Sequence, residues 1–199
     1  MVGLIVAIMD MLYGYKNYRR FFVLETIARI PYFSYLSVLH FFQSVGRHPS
    51  LALLDLHYKE SVNEEYHLMI MEELGGDKFW LDRLVARLIG LTYYWIAVGL
   101  FLICPKSGYY LMELIEQSAV QSYTKFIQIQ ADKLSEMEPG KYAKEYYRSE
   151  KARMLMPEKT VEKFSMLDVF QSILQDEAVH VSDMQLCGQL KNLGDYQAR

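Results

Sequence analysis

Two Glu-x-x-His pairs, Glu64–His67 and Glu177–His180, stand far apart in the chain, each inside a segment of helical periodicity. Residues three apart on a helix share a side, so each pair aims a carboxylate and an imidazole in one direction. Two further glutamates occupy positions where a helix turns its apolar face inward. Glu25 shares its face with Phe21, Ala28 and Tyr32, and Glu116 with Met112, Ala119 and Tyr123. A lone ionised carboxylate in such surroundings is costly, or takes up a proton instead. A metal ion shared between converging helices removes the conflict. One Glu from each of two helices and one Glu-x-x-His from each of two others is the ligand pattern of di-iron bundles.

The rest of the chain allows four helices to converge. Its 199 residues suit one domain, 1–199, and 52% of them are apolar. Helical stretches are predicted over 19–44, 50–74, 77–104, 107–137 and 161–193. They are punctuated by Gly46 and Pro49, Gly75-Gly76, Pro105, Pro139-Gly140 and Gly194. Pro31 falls inside the first stretch and should kink it, because proline lacks the backbone donor. No alternating strand pattern is apparent, so the expected fold is all-α, a bundle with short connections. The 138–160 segment, with Lys141, Lys144, Arg148, Lys151, Arg153 and Pro157, reads as a solvated connector with some helix.

Composition narrows the function classes. Lys and Arg number 21 against 24 Asp and Glu, a net charge of −3 that argues against nucleic-acid binding. Two cysteines, Cys104 and Cys187, cannot build a disulfide framework or a four-thiolate site. Four carboxylates balance two divalent ions. An oxygen-rich set with two imidazoles suits iron or manganese rather than an iron–sulfur cluster or tetrahedral zinc. Residues 88–105 carry no charge but include Tyr93, Tyr94 and Trp95. Hydropathy alone admits a spanning, an interfacial or a buried helix there. Residues 1–12 lack the marks of a secretory or transit peptide and are too short to span a bilayer. His57-x-x-Glu60 offers a rival ligand pair without a second copy and reads as structural. His40 and His48 read as ordinary.

The strings Leu24-Glu25-Thr26, Asn63-Glu64-x-x-His67, Glu116 followed by Ser122-Tyr123-Thr124, and Asp176-Glu177-Ala178-x-His180 resemble the alternative oxidases. The run Arg20 to Phe33 and Met71-Glu72-Glu73-Leu74-Gly75-Gly76 are similar to the plastid and cyanobacterial branch, the plastoquinol terminal oxidases. Tyr146-Tyr147 stands where mitochondrial members carry Tyr-Trp. Spacings of 39 residues from Glu25 to Glu64 and 52 from Glu64 to Glu116 fit that branch. Val62 and Tyr66 depart from its pattern, and neither is a candidate ligand.

The resemblance implies a ferritin-like di-iron four-helix bundle with additional membrane-facing helices, 1–12 and roughly 77–104, in a monotopic interfacial protein. It implies two iron ions held by Glu25, Glu64, His67, Glu116, Glu177 and His180, with Asn63 and Asp176 orienting ligands. Tyr123 would be the redox tyrosine, and Arg20 and Leu24 would line the quinol cavity. The implied reaction oxidises plastoquinol or a related quinol and reduces O2 to water without pumping protons. The implied setting is one leaflet of a thylakoid or cyanobacterial cytoplasmic membrane, as a homodimer without a regulatory thiol switch. A different di-iron membrane enzyme, such as a quinone-ring hydroxylase or desaturase, and a non-catalytic iron-binding protein are the competing readings.

Overall fold

A computed structural model describes residues 9–14, 17–147 and 164–197. Residues 1–8 of the expected amino-terminal membrane face and 148–160 of the expected connector lie outside the described residues. Among the described residues, seven helices follow a helical turn at 9–13: α1 (Tyr18–Ala28), α2 (Ile30–Ser44), α3 (Leu51–Glu73), α4 (Trp80–Ile103), α5 (Pro105–Glu136), α6 (Lys141–Tyr147) and α7 (Met166–Gly188). No strand occurs among the described residues, as the sequence pattern predicts.

Local chemistry sets most of the ends. The side chains of Asn17 and Ser50 accept from the backbone of Arg19 and Ala52 at the starts of α1 and α3. Ser165 and Asp168 form a reciprocal capping box at α7. At the end of α3, Gly75 adopts φ +79°. Its N–H bonds the Glu72 carbonyl and the Gly76 N–H bonds that of Met71, a Schellman closure. Gly76 also lets α1 approach closely, since a Cβ there would stand 2.9 Å from the Phe22 Cβ. The expected kink is a one-residue interruption at Arg29, which keeps φ −65° and ψ −22°, with Pro31 in the first turn of α2. α5 begins at Pro105, two residues earlier than predicted, because proline suits a first helical position whose N–H needs no partner.

α7 ends at Gly188, short of the Gly194 stop expected from sequence. The tail beyond it bonds to α3 instead. Ser50 donates its N–H to the Leu193 carbonyl at 3.1 Å and its hydroxyl to that of Tyr196 at 2.7 Å. Tyr196 is buried beneath this turn.

α1 with α2, α3, α5 and α7 make the bundle. α5 and α7 share its most extensive interface, and α3 lies along both α1 and α2. α4 packs outside on α2, α1 and α5. It leaves Leu84, Leu88, Leu91, Trp95, Ile96 and Ile103 exposed, and only 22% of its apolar window is buried. The 18–44 stretch is also long and apolar enough to cross a membrane, but 61% of its window is buried inside the protein. By length and composition α4 is therefore the apolar surface of the fold.

The apolar core has two parts. One gathers Phe21, Phe22, Met71, Phe126, Phe170 and Ile173; the other gathers Tyr32, Tyr35, Leu53, Met112, Met184 and Cys187. In each of α3, α5 and α7, the candidate ligands fall between residues of the two clusters. A polar layer thus crosses the middle of the bundle.

Candidate metal centre

All six sequence-predicted ligands meet in that layer. α1 supplies Glu25, α3 Glu64 and His67, α5 Glu116, and α7 Glu177 and His180. Five are fully buried and His180 is 4% exposed. Their ligand atoms form two overlapping groups, each with all its atoms within 4.8 Å of one another. Glu25, Glu64, His67 and Glu177 make one; Glu64, Glu116, Glu177 and His180 make the other. Glu64 and Glu177 belong to both. His67 Nδ1 stands 3.2 Å from Glu177 Oε1 and 3.8 Å from Glu25 Oε2. His180 Nδ1 stands 3.0 Å from Glu64 Oε1, outside hydrogen-bonding alignment.

The donor arithmetic does not close. Eight ligand atoms are buried with no hydrogen-bond partner: Glu25 Oε2, both oxygens of Glu64 and of Glu177, Glu116 Oε2, and Nδ1 of His67 and His180. Such orphans are costly unless something cationic sits among them. Burial, reinforced by neighbouring carboxylates, pushes Glu25, Glu64 and Glu177 well above the usual carboxylate range. Among the like charges, Glu64 acts most strongly on Glu25 and Glu177, and Glu116 on Glu64. Oxygen-rich, thiolate-free and converging, these residues fit two hard or borderline divalent cations.

The remaining oxygens of Glu25 and Glu116, and Nε2 of His67, do have partners. Tyr123 donates its hydroxyl to Glu25 Oε1, and Tyr32 donates to Glu116 Oε1 at 2.7 Å. The exchange is crosswise. Tyr32 lies seven residues beyond Glu25 and Tyr123 seven beyond Glu116; Tyr32 on α2 serves Glu116 of α5, and Tyr123 on α5 serves Glu25 of α1. His67 Nε2 stands 3.3 Å from Asp176 Oδ2, which also receives Asn63 Nδ2 at 3.0 Å and the Tyr147 hydroxyl at 2.9 Å. Burial raises the Asp176 carboxyl, but the hydrogen bond and charge of His67 outweigh it and hold the group below its ordinary range. Sequence reading identified Tyr123, Asn63 and Asp176 but gave Tyr32 no role beyond lining an apolar face. Its spacing from Glu25, identical to that of Tyr123 from Glu116, was the available signal. Tyr147 carried a branch signature without a contact attached to it.

Arg20 lies outside the metal layer and is 1% exposed. It pairs with Asp10 at 2.6 Å and donates to Ser122 Oγ at 3.1 Å, one residue before Tyr123. Leu24 is half-buried against the first apolar cluster. His57 and Glu60 stay out of both ligand groups. Nδ1 of His57 meets Glu60 Oε2 at 2.9 Å and Nε2 meets the Tyr109 hydroxyl at 3.0 Å. Burial pushes His57 down to about 3 and raises Glu60, which favours the neutral form of each.

The alternative oxidase family model matches residues 1–189. The chain is 37% identical over 198 residues to the chloroplastic/chromoplastic ubiquinol oxidase 4 of Arabidopsis thaliana, covering 95% of this chain and 56% of that one. It is 27% identical over 186 residues to the mitochondrial ubiquinol oxidase of Mangifera indica, covering 90% and 54%. The chain spans about half the length of the curated relatives it matches. No solved structure matches it. With the family model covering nearly the whole chain, the chain belongs to the alternative oxidase family.

Proposed function

We propose that this protein is a quinol oxidase that couples two quinols to one O2, yielding two quinones and two waters. The observation that carries the reading is the set of eight orphaned ligand atoms facing one another in a dry interior. Glu25, Glu64, His67, Glu116, Glu177 and His180 would hold two iron ions, with Glu64 and Glu177 shared between them. Iron, when bound, supplies the one-electron redox chemistry that O2 reduction needs and that side chains alone lack.

The protein's own residues prepare that chemistry. Asp176, held by Asn63 and Tyr147, fixes His67 with Nδ1 turned toward the carboxylates. Tyr123 is fully buried and hydrogen-bonded to Glu25, so its phenolic proton has an acceptor in place when its ring gives up an electron. Arg20 and Leu24 stand on the α1 side of Tyr123, where Arg20 would donate to a quinol oxygen. The quinol head would approach along the α1–α5 side, with plastoquinol or a related quinone as substrate.

The exposed apolar side of α4, together with the amino-terminal segment, would rest in one leaflet of a thylakoid or cytoplasmic membrane, in a homodimer. The domain is read as one unit, 1–199, with 138–160 as a connector. An oxygen electrode provides the test. Purified iron-loaded protein should consume O2 only when decyl-plastoquinol is added, with quinone as product and no oxygen atom inserted into it. Iron binding without quinol-dependent uptake would overturn the reading.

A further inference from the structure

A cavity of about 620 Å³ lies at the far end of the bundle from Arg20, where α2, the α4–α5 turn and the tail after α7 meet. That volume is in the range of small-molecule sites. Its apolar wall includes Phe42, Leu102 and Ile103, and its rim carries Arg47, Lys106 and Lys191. No acidic residue lines it, although the chain as a whole is acidic at −3.

The three cations come from distant parts of the sequence. None has a carboxylate within 4.0 Å among the described residues. Their convergence is built by the fold. The Arg47 guanidinium lies over the Phe42 ring at 5.1 Å, and the tail carrying Lys191 is fastened to Ser50 by its two hydrogen bonds. Three unpaired cations around a common space repel one another unless an anion joins them. Leu102 and Ile103 belong both to the cavity wall and to the exposed apolar side of α4, and Ile103 is 85% exposed. Charge is therefore offered at the mouth, and grease leads away from it.

We propose that this cavity binds the phosphate headgroup of an anionic glycerolipid, with Arg47, Lys106 and Lys191 on the phosphate and the acyl chains running out along α4. A free phosphate would match the cations and leave the apolar wall without purpose. A neutral lipid would match the wall and leave the cations facing one another. The inference is independent of the quinol oxidase reading, because lipid binding requires neither iron nor turnover.

Cys104 lines the same cavity, and its exposed thiol accepts a hydrogen bond from Ser107 Oγ at 3.1 Å, which gives a reporter without mutation. The probe is monomeric dioctanoyl phosphatidylglycerol added to the 199-residue chain, read by native mass spectrometry and by the rate of Cys104 alkylation with iodoacetamide. One lipid should bind per chain and slow the alkylation. Dioctanoyl phosphatidylcholine and inorganic phosphate should do neither at the same concentration. The triple variant Arg47→Gln, Lys106→Gln, Lys191→Gln should bind on the order of a hundredfold more weakly, each cation near an anionic headgroup being worth about fivefold. A control triple, Lys78→Gln, Lys133→Gln, Lys141→Gln, removes the same charge elsewhere and should bind as the parent does. Equal weakening in both triples, equal binding by phosphatidylcholine, or protection of Cys104 by inorganic phosphate would each overturn the proposal. Binding that leaves the alkylation rate unchanged would do so as well, since the lipid would then sit elsewhere.

Discussion

His57 and Glu60 share α3 with Glu64 and His67, and all four side chains are buried, yet the two pairs are solved in opposite ways. The His57–Glu60 pair closes on itself and on Tyr109 with bonds of 2.9 and 3.0 Å, leaving only Glu60 Oε1 without a partner, and burial favours the neutral form of each. The Glu64–His67 pair does not close. Its carboxylate faces those of Glu25, Glu116 and Glu177, and neither Glu64 oxygen finds a donor. A buried polar group that protein partners satisfy contributes to the fold, whereas a set that only acceptors surround is arranged for a cation. Burial and residue type are the same in both pairs. The missing donors separate them.

The comparison breaks most sharply at Glu116. Glu116→Ala removes one carboxylate from the Glu64–Glu116–Glu177–His180 group. Quinol-dependent oxygen uptake should vanish and iron content should fall by elemental analysis, with helicity by circular dichroism unchanged. His57→Ala should do the reverse. Iron binding should persist while stability falls by about 3 kcal/mol, the cost of a cavity and of two stranded polar partners, Glu60 and the Tyr109 hydroxyl. Urea unfolding measures it. Retained stability in His57→Ala, or retained uptake in Glu116→Ala, would erase the distinction between the two pairs.

A pH series sharpens the same contrast. His57 titrates near 6.5 when unfolded and near 3 when folded, so between those values the unfolded chain binds the extra proton. This residue therefore destabilises the fold progressively as pH falls below 6.5, by up to about 1.4 kcal/mol per pH unit while the difference in bound protons approaches one. Replacing His57 should flatten the acid limb of stability measured by urea unfolding between pH 6 and pH 4. An unchanged slope would mean that His57 takes up its proton in the native state.

How much of this was legible depends on the range of the interaction involved. The Schellman closure at Gly75-Gly76 and the break before Pro31 are local, and the sequence marks both. The convergence of the six candidate ligands was legible because helical spacing turns a one-dimensional pattern into a face, and four such faces have few ways to meet. The end of α7 was not, because its tail is fastened by Ser50, on the opposite side of the chain. Nothing near Gly188 announces a partner so distant. The Tyr109 hydroxyl on His57 and the cavity shared by Arg47, Lys106 and Lys191 are likewise products of tertiary contact. In the 138–160 segment, α6 packs on α3, and Tyr146 and Tyr147 reach Asn63 and Asp176 from there. A reading based on charge alone could not see that its aromatic residues face inward.

The finest comparison lies between the two crossed tyrosines. Tyr32 and Tyr123 each donate to one ligand carboxylate, and both rings are fully buried. Removing either hydroxyl strips one donor from a carboxylate that has few, so Tyr32→Phe and Tyr123→Phe should each cost about 1 kcal/mol of stability. Iron should loosen by about tenfold in each, as when partners of metal ligands are lost, measured by competition with a chromogenic chelator. Their surroundings then separate them. Tyr123 packs on Phe21 at 4.5 Å and neighbours Ser122, which Arg20 contacts, so it stands on the side proposed for quinol. Tyr32 lies in the opposite apolar cluster, with its ring 5.6 Å from that of His180. Turnover per bound iron should therefore fall further in Tyr123→Phe than in Tyr32→Phe. Equal loss in the two variants would make both tyrosines carboxylate-positioning groups and remove the redox role assigned to Tyr123.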